Sequence, residues 1–154
     1  MRETVTGTAS HAGTNGKGAE MGAVRGVAEI VLAVHDQERS LAFYRDVLGL
    51  RRMEAGPEVK PVFLAASTGD APIPQMVVLV PLSPGTPEFS QPRTLHHLAL
   101  ELAPEDFDSE AARLTALGYS LRSGRHPVLP SRTMYLDDPD GNEVELICAA
   151  PGGQ

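Results

Sequence analysis

His126, Tyr135 and Glu145 carry an imidazole, a phenol and a carboxylate, side-chain types from which proton transfer and metal ligation are built. They flank Asp137-Asp138-Pro139-Asp140-Gly141-Asn142, a run dense in tight-turn residues, within the stretch from Gly124 to Ile147. The residues on either side alternate apolar and polar like two antiparallel strands of a hairpin. A hairpin sets its strands side by side, so the three groups can converge on one face of a sheet and bind a metal ion and a polar ligand. Each also has an ordinary use. A Tyr beside a turn packs with a wet hydroxyl, a His before Pro127 sits in a loop, and the acid pair Asp137-Asp138 serves the turn.

The elements that must position these groups are legible upstream. VAEIVLAVH from Val27 suits a buried strand. Asp36 is placed to cap a helix in which Leu41, Phe43, Tyr44, Val47 and Leu48 recur at helical spacing until Gly49 stops it. Short strands follow near 50–53, 62–66 and 75–81. The order then repeats: a strand over 94–102, a helix begun by Pro104 with Phe107, Ala111, Leu114 and Leu117 on its apolar face and Gly118 at its end, then strands near 119–123, 133–137 and 142–148. Gly49 lies 69 residues before Gly118, and Leu79 lies 67 before Leu146, which marks a duplicated βαβββ module.

The expected fold is therefore α+β, with two paired βαβββ modules sharing a curved, mostly antiparallel sheet around a cleft. Module 1 covers about 25–82, a Pro/Gly-rich linker 83–93, and module 2 about 94–150. Residues 1–24 hold almost no bulky apolar side chains and read as a disordered tail without a secretory signal; His11 within it is expected to be inert.

With 154 residues, 42% hydrophobic and 21% charged, the chain suits one soluble domain. A net charge of −7 and a pI near 5.1, with no Lys/Arg cluster, argue against nucleic acid or an anionic membrane as partner. No apolar run approaches the roughly 18 residues of a membrane-spanning helix. The lone Cys148 excludes an internal disulfide framework, suits a reducing cytoplasm and reads as a small core residue.

The order Gly124-x-His126, Met134-Tyr135, Asp138-Pro139-x-Gly141 and Glu145 resembles the signature of extradiol ring-cleavage dioxygenases, within the vicinal oxygen chelate (glyoxalase/bleomycin resistance/extradiol dioxygenase) superfamily. FYRDVLGL in module 1 is similar to the helix ending common to that superfamily, and the likeness extends from about Val27 to Ala149. The resemblance implies that Glu145 ligates Fe(II) while Tyr135 and His126 lie beside the bound substrate. It further implies four cleft-facing positions, here Glu29, Val78, His97 and Glu145, of which Glu29, His97 and Glu145 can ligate. Val78 departs from glyoxalase I, which needs a fourth ligand, and Glu29 stands where extradiol enzymes have a His. Two carboxylates and an imidazole favour a hard divalent cation, Fe(II) first, then Mn(II) or Mg(II). For Glu29 the ordinary alternative is a solvated glutamate, and for His97 a core histidine bonded to a carbonyl. His96, its neighbour on the expected strand, should point to the opposite face.

The leading expectation is a small metal-dependent oxygenase acting on a vicinal-oxygen small molecule, with His126 and Tyr135 handling protons. Two alternatives stay open. One is a metal-dependent isomerase, epimerase or lyase of the same fold, in which Glu29 could serve as the base. The other is a metal-free protein that sequesters a small molecule or drug in the cleft. A homodimer is expected, with the modules paired either within one chain or between two.

Overall fold

The computed structural model describes residues 26–69, 73–88 and 95–151. The expected tail over 1–24, His11 and part of the expected linker lie outside these residues. Module 1 comprises β1 (Glu29–Val34), α1 (Gln37–Ala42) with a π-helical continuation over Phe43–Val47, β2 (Arg51–Arg52), β3 (Val62–Ala65) and β4 (Met76–Pro81). Module 2 comprises β5 (Leu98–Glu101), α2 (Phe107–Ala116), β6 (Arg122–Gly124), β7 (Ser131–Asp137) and β8 (Glu143–Ala149). The duplicated βαβββ order is thus present, in an α+β fold.

Each module closes its own four-stranded mixed sheet, ordered β1-β4-β3-β2 and β5-β8-β7-β6. In both, the first strand runs parallel to the last and the other two pairings are antiparallel. The helix crossover makes this possible, because a parallel pair needs a long connection. Several elements are shorter than the sequence suggests. β2 keeps only Arg51–Arg52, and β5 begins at Leu98 rather than near 94.

The helices start and stop on local chemistry. Asp36 accepts a hydrogen bond from the Arg39 amide at 3.0 Å, capping α1. Gly49 and Gly118, with φ of 76° and 91°, take the left-handed turn that ends each helical segment, a conformation that a Cβ disfavours. Strand alternation then sorts the faces. Leu32 and Val34 of β1 and Val144, Leu146 and Cys148 of β8 enter the core, each large aliphatic among them contributing about 1.5–3 kcal/mol on burial. The opposite faces carry Glu29 and Val31 in module 1 and Glu143 and Glu145 in module 2.

The modules are locked through the β7–β8 turn. Asp138 is 5% exposed; its Oδ1 accepts from the Asp140 and Asn142 amides, and its Oδ2 accepts from Asn142 Nδ2 and, at 2.8 Å, from the Tyr44 hydroxyl of module 1. Burial and the Asp138 carboxylate push the Tyr44 phenol above its ordinary pKa, so it stays a donor. Phe43 packs edge-on against Tyr119, and Arg113 of α2 donates to the Val47 carbonyl. The next turn acid, Asp140, accepts from Ser40 Oγ at 3.1 Å and from the His35 amide and Nδ1. His35 Nε2 donates to the Pro87 carbonyl.

Tyr44→Phe should destabilise the fold by about 1–3 kcal/mol in denaturant unfolding, because a buried carboxylate loses a donor. Both ring nitrogens of His35 meet acceptors, which favours the imidazolium; the Asp140 hydrogen bond, then that of Pro87, raises its pKa, with Asp140 and Glu88 adding attraction. The stabilisation is therefore full below the unfolded histidine pKa of about 6.5 and is lost as pH rises through the higher folded value. Melting temperature should decline over that window, and His35→Gln should flatten the decline.

Candidate metal and substrate site

Glu145 is the anchor of the site. It lies mid-strand on β8, 2% exposed, facing away from the core. A carboxylate so buried requires partners, and it has two. Tyr135, directly opposite on β7, donates its hydroxyl to Glu145 Oε1 at 2.9 Å. His97, just ahead of β5, brings Nε2 to 3.1 Å from Glu145 Oε2. The His97 and Tyr135 rings meet edge to face with centroids 6.0 Å apart. The structure thus brings together three of the five expected site residues.

Glu29 is not among them. It is exposed at the start of β1, opposite Met76, and belongs to no group of three ligating side chains among the described residues. Val78 is buried on β4, level with Val31 and Phe63, and offers no donor. His126 is half-buried in the β6–β7 loop, where its Nδ1 accepts from the amides of Val128 at 3.2 Å and Leu129 at 2.9 Å. Those bonds place the neutral ring's proton on Nε2 and tie the side chain to its own turn. Among the described residues it makes no hydrogen bond to Tyr135 or Glu145.

Two residues with ligating capacity were missed. His96 lies beside His97, Nδ1 to Nδ1 at 2.8 Å, because residues 95–97 are irregular and strand alternation starts only at Leu98. The expectation that His96 points to the opposite face is corrected. Glu143, two residues before Glu145 on β8, shares its face, and its donor atom falls within 4.8 Å of those of His96 and His97. The i, i+2 acid spacing was the available signal.

Gly124 explains the first position of the Gly-x-His motif. β6 pairs Gly124 with Thr133, and a Cβ on Gly124 would stand 2.5 Å from Tyr135 Cε2 and 3.2 Å from Thr133 Oγ1. Only a bare α-carbon lets the phenol ring lie there. Thr133 Oγ1 is buried without a hydrogen-bond partner among the described residues, so it acts on Tyr135 as nearby polarity. That polarity lowers the phenol pKa, but desolvation and the carboxylates of Glu145 and Glu143 outweigh it, leaving the value raised.

Two βαβββ modules in sequence, each closing a four-stranded mixed sheet, define the class of fold. The chain belongs to the Glyoxalase/Bleomycin resistance protein/Dioxygenase superfamily, whose sequence model matches residues 26–146. It is 31% identical over 130 residues to a lactoylglutathione lyase of Salmonella typhimurium, covering 80% of this chain and 93% of that protein. It is 32% identical over 127 residues to a catechol-2,3-dioxygenase of Bacillus subtilis, covering 78% of this chain but 40% of that longer protein. In fold it resembles a glyoxalase/dioxygenase from Nostoc punctiforme (TM-score 0.64, 24% identity, 96% of this chain and 99% of that one). A fosfomycin resistance protein from Listeria monocytogenes is similar as well (TM-score 0.60, 21% identity, 83% and 96%). No helix among the described residues is long and apolar enough to cross a membrane.

Gly124→Ala should force the Tyr135 ring off Glu145 and cost about 1–3 kcal/mol of stability. In a Tyr135→Ala background the same change should cost much less. A double-mutant cycle by denaturant unfolding measures the difference, and additivity would show that the ring is not what Gly124 accommodates.

Proposed function

We propose that this chain is a divalent-metal-dependent oxygenase for a small molecule with two vicinal oxygens, with Glu145, His97 and Glu29 as metal ligands. The observation that supports it best is the Tyr135–Glu145–His97 cluster. His97 Nε2 and Glu145 Oε2, 3.1 Å apart, have the separation of adjacent ligand atoms on a cation with bonds of about 2.1 Å at right angles, roughly 3 Å. With Val78 in the fourth position, the set leaves room for substrate. Fe(II) is favoured, with Mn(II) or Mg(II) as alternatives. Bound there, the cation would supply Lewis acidity to the paired substrate oxygens and, as iron, electrons for dioxygen.

The remaining work falls to the chain. The Tyr135 hydroxyl carries one proton, given to Glu145 Oε1 at 2.9 Å; once Glu145 serves as a ligand, that proton would turn to a substrate oxygen. His126 keeps Nε2 outside its turn, and that atom is the one assigned to proton transfer. Glu29 would be delivered by a second copy of the chain. The outward face of β1, with Val31 54% exposed beside Ala33, is apolar enough to be covered in a homodimer.

A second reading, a metal-dependent lyase or isomerase, is supported by the similarity to lactoylglutathione lyase over nearly that enzyme's whole length. Protein reconstituted anaerobically with Fe(II) should consume dioxygen when given a catechol-type diol. Tyr135→Phe should lower that rate by about 10² to 10⁴ at unchanged iron content, and Glu145→Ala should lose the iron. Turnover of lactoylglutathione without dioxygen uptake would replace the oxygenase reading with the second.

A further inference from the structure

We infer that His96, His97 and Glu143 form a distinct divalent-metal position, on the opposite edge of the His97 ring from Glu145. Among the described residues these are the one group of His, Cys, Asp and Glu side chains that offers three ligand atoms all within 4.8 Å of one another. In the β5/β8 register Leu98 pairs with Val144, so His97 and Glu143 each immediately precede a paired residue. The irregular backbone over 95–97 turns His96 toward the same spot, with ring centroids 5.0 Å apart.

Proton placement on His97 favours this position. In this arrangement Nε2 gives its proton to Glu145, 3.1 Å away, in place of ligating. The Nδ1 lone pair is then left pointing at His96 Nδ1, 2.8 Å away. Without a cation these two nitrogens must share a proton; with one, they stand near the roughly 3 Å separation of adjacent ligands. A carboxylate behind the far nitrogen is also the arrangement that orients metal-ligating histidines. Glu145, buried and held by Tyr135, fills that place. Glu143 is fixed in turn by Arg122, whose Nη2 lies 2.9 Å from Oε2 and which also pairs with Asp137, so the carboxylate is held beside the imidazoles. Two imidazoles and one carboxylate favour Zn(II), Co(II) or Fe(II) over Mg(II).

This position shares His97 with the ligand set proposed above and uses Glu145 as a positioning residue instead of a ligand; it does not depend on the oxygenase reading. The test is titration of the full metal-free chain with Co(II), followed by visible absorption and calorimetry. His96→Gln and Glu143→Gln should each weaken binding at least about tenfold, while Glu145→Gln, which keeps an acceptor for Nε2–H, weakens it less. Melting curves check that each variant folds. In the parent chain, Zn(II) should shift the ¹⁵N resonance of His97 Nδ1 and leave Nε2 protonated. Parent-like affinity in His96→Gln and Glu143→Gln would overturn the trio. If affinity is then lost in Glu145→Gln and Glu29→Gln, the ligand set of the oxygenase proposal stands in its place; if it survives in all four variants, neither set holds the metal.

Discussion

The structure depends on the Asp138 carboxylate, which is buried and answers to both modules at once. Its two oxygens close the β7–β8 turn from within and take the Tyr44 hydroxyl from the other module. A buried carboxylate is costly unless every lone pair is met, so the turn and the helix that supplies Tyr44 must form together. That requirement joins two motifs nearly a hundred residues apart, FYRDV and DPDGN, into one unit. His35 and Ser40 on Asp140 extend the same seam.

The candidate site follows from that seam. The turn fixes the register of β7 on β8, and the register sets Tyr135 opposite Glu145. A slip of one residue would send Glu145 into the core and Val144 out of it. Its burial demands donors, and Tyr135 and His97 supply them, which gathers on one face the groups assigned to the proposed site.

The two modules share topology but not chemistry. Module 2 gathers acids on its outward face, whereas β1 and β4 of module 1 carry Val31, Ala33 and Val78 there beside Glu29, with Arg51 level with Glu29 across the sheet. The duplicated scaffold leaves each sheet free to carry different side chains, because the alternation that builds the core uses only one face. One half of the chain accordingly concentrates the ligating side chains.

Much of this was readable without coordinates. The βαβββ repeat, the Asp36 cap, the helix stops at Gly49 and Gly118 and the burial of Cys148 all rest on local periodicity and turn chemistry, which the linear chain carries in full; the hairpin signal set Tyr135 beside Glu145, whereas His97 came to them only through the superfamily resemblance. Strand ends were less legible, since β2 and β5 are trimmed by the loops around them. Three things were decided only by tertiary structure. Glu29 stands apart from the other expected ligands because its place depends on how one sheet meets another, which no spacing encodes. His126 is held by its own loop amides, Val128 and Leu129, a local bond that the motif spacing does not reveal. His96 joins His97 because the backbone before β5 is irregular, and period-two alternation has no hold on a residue outside the strand.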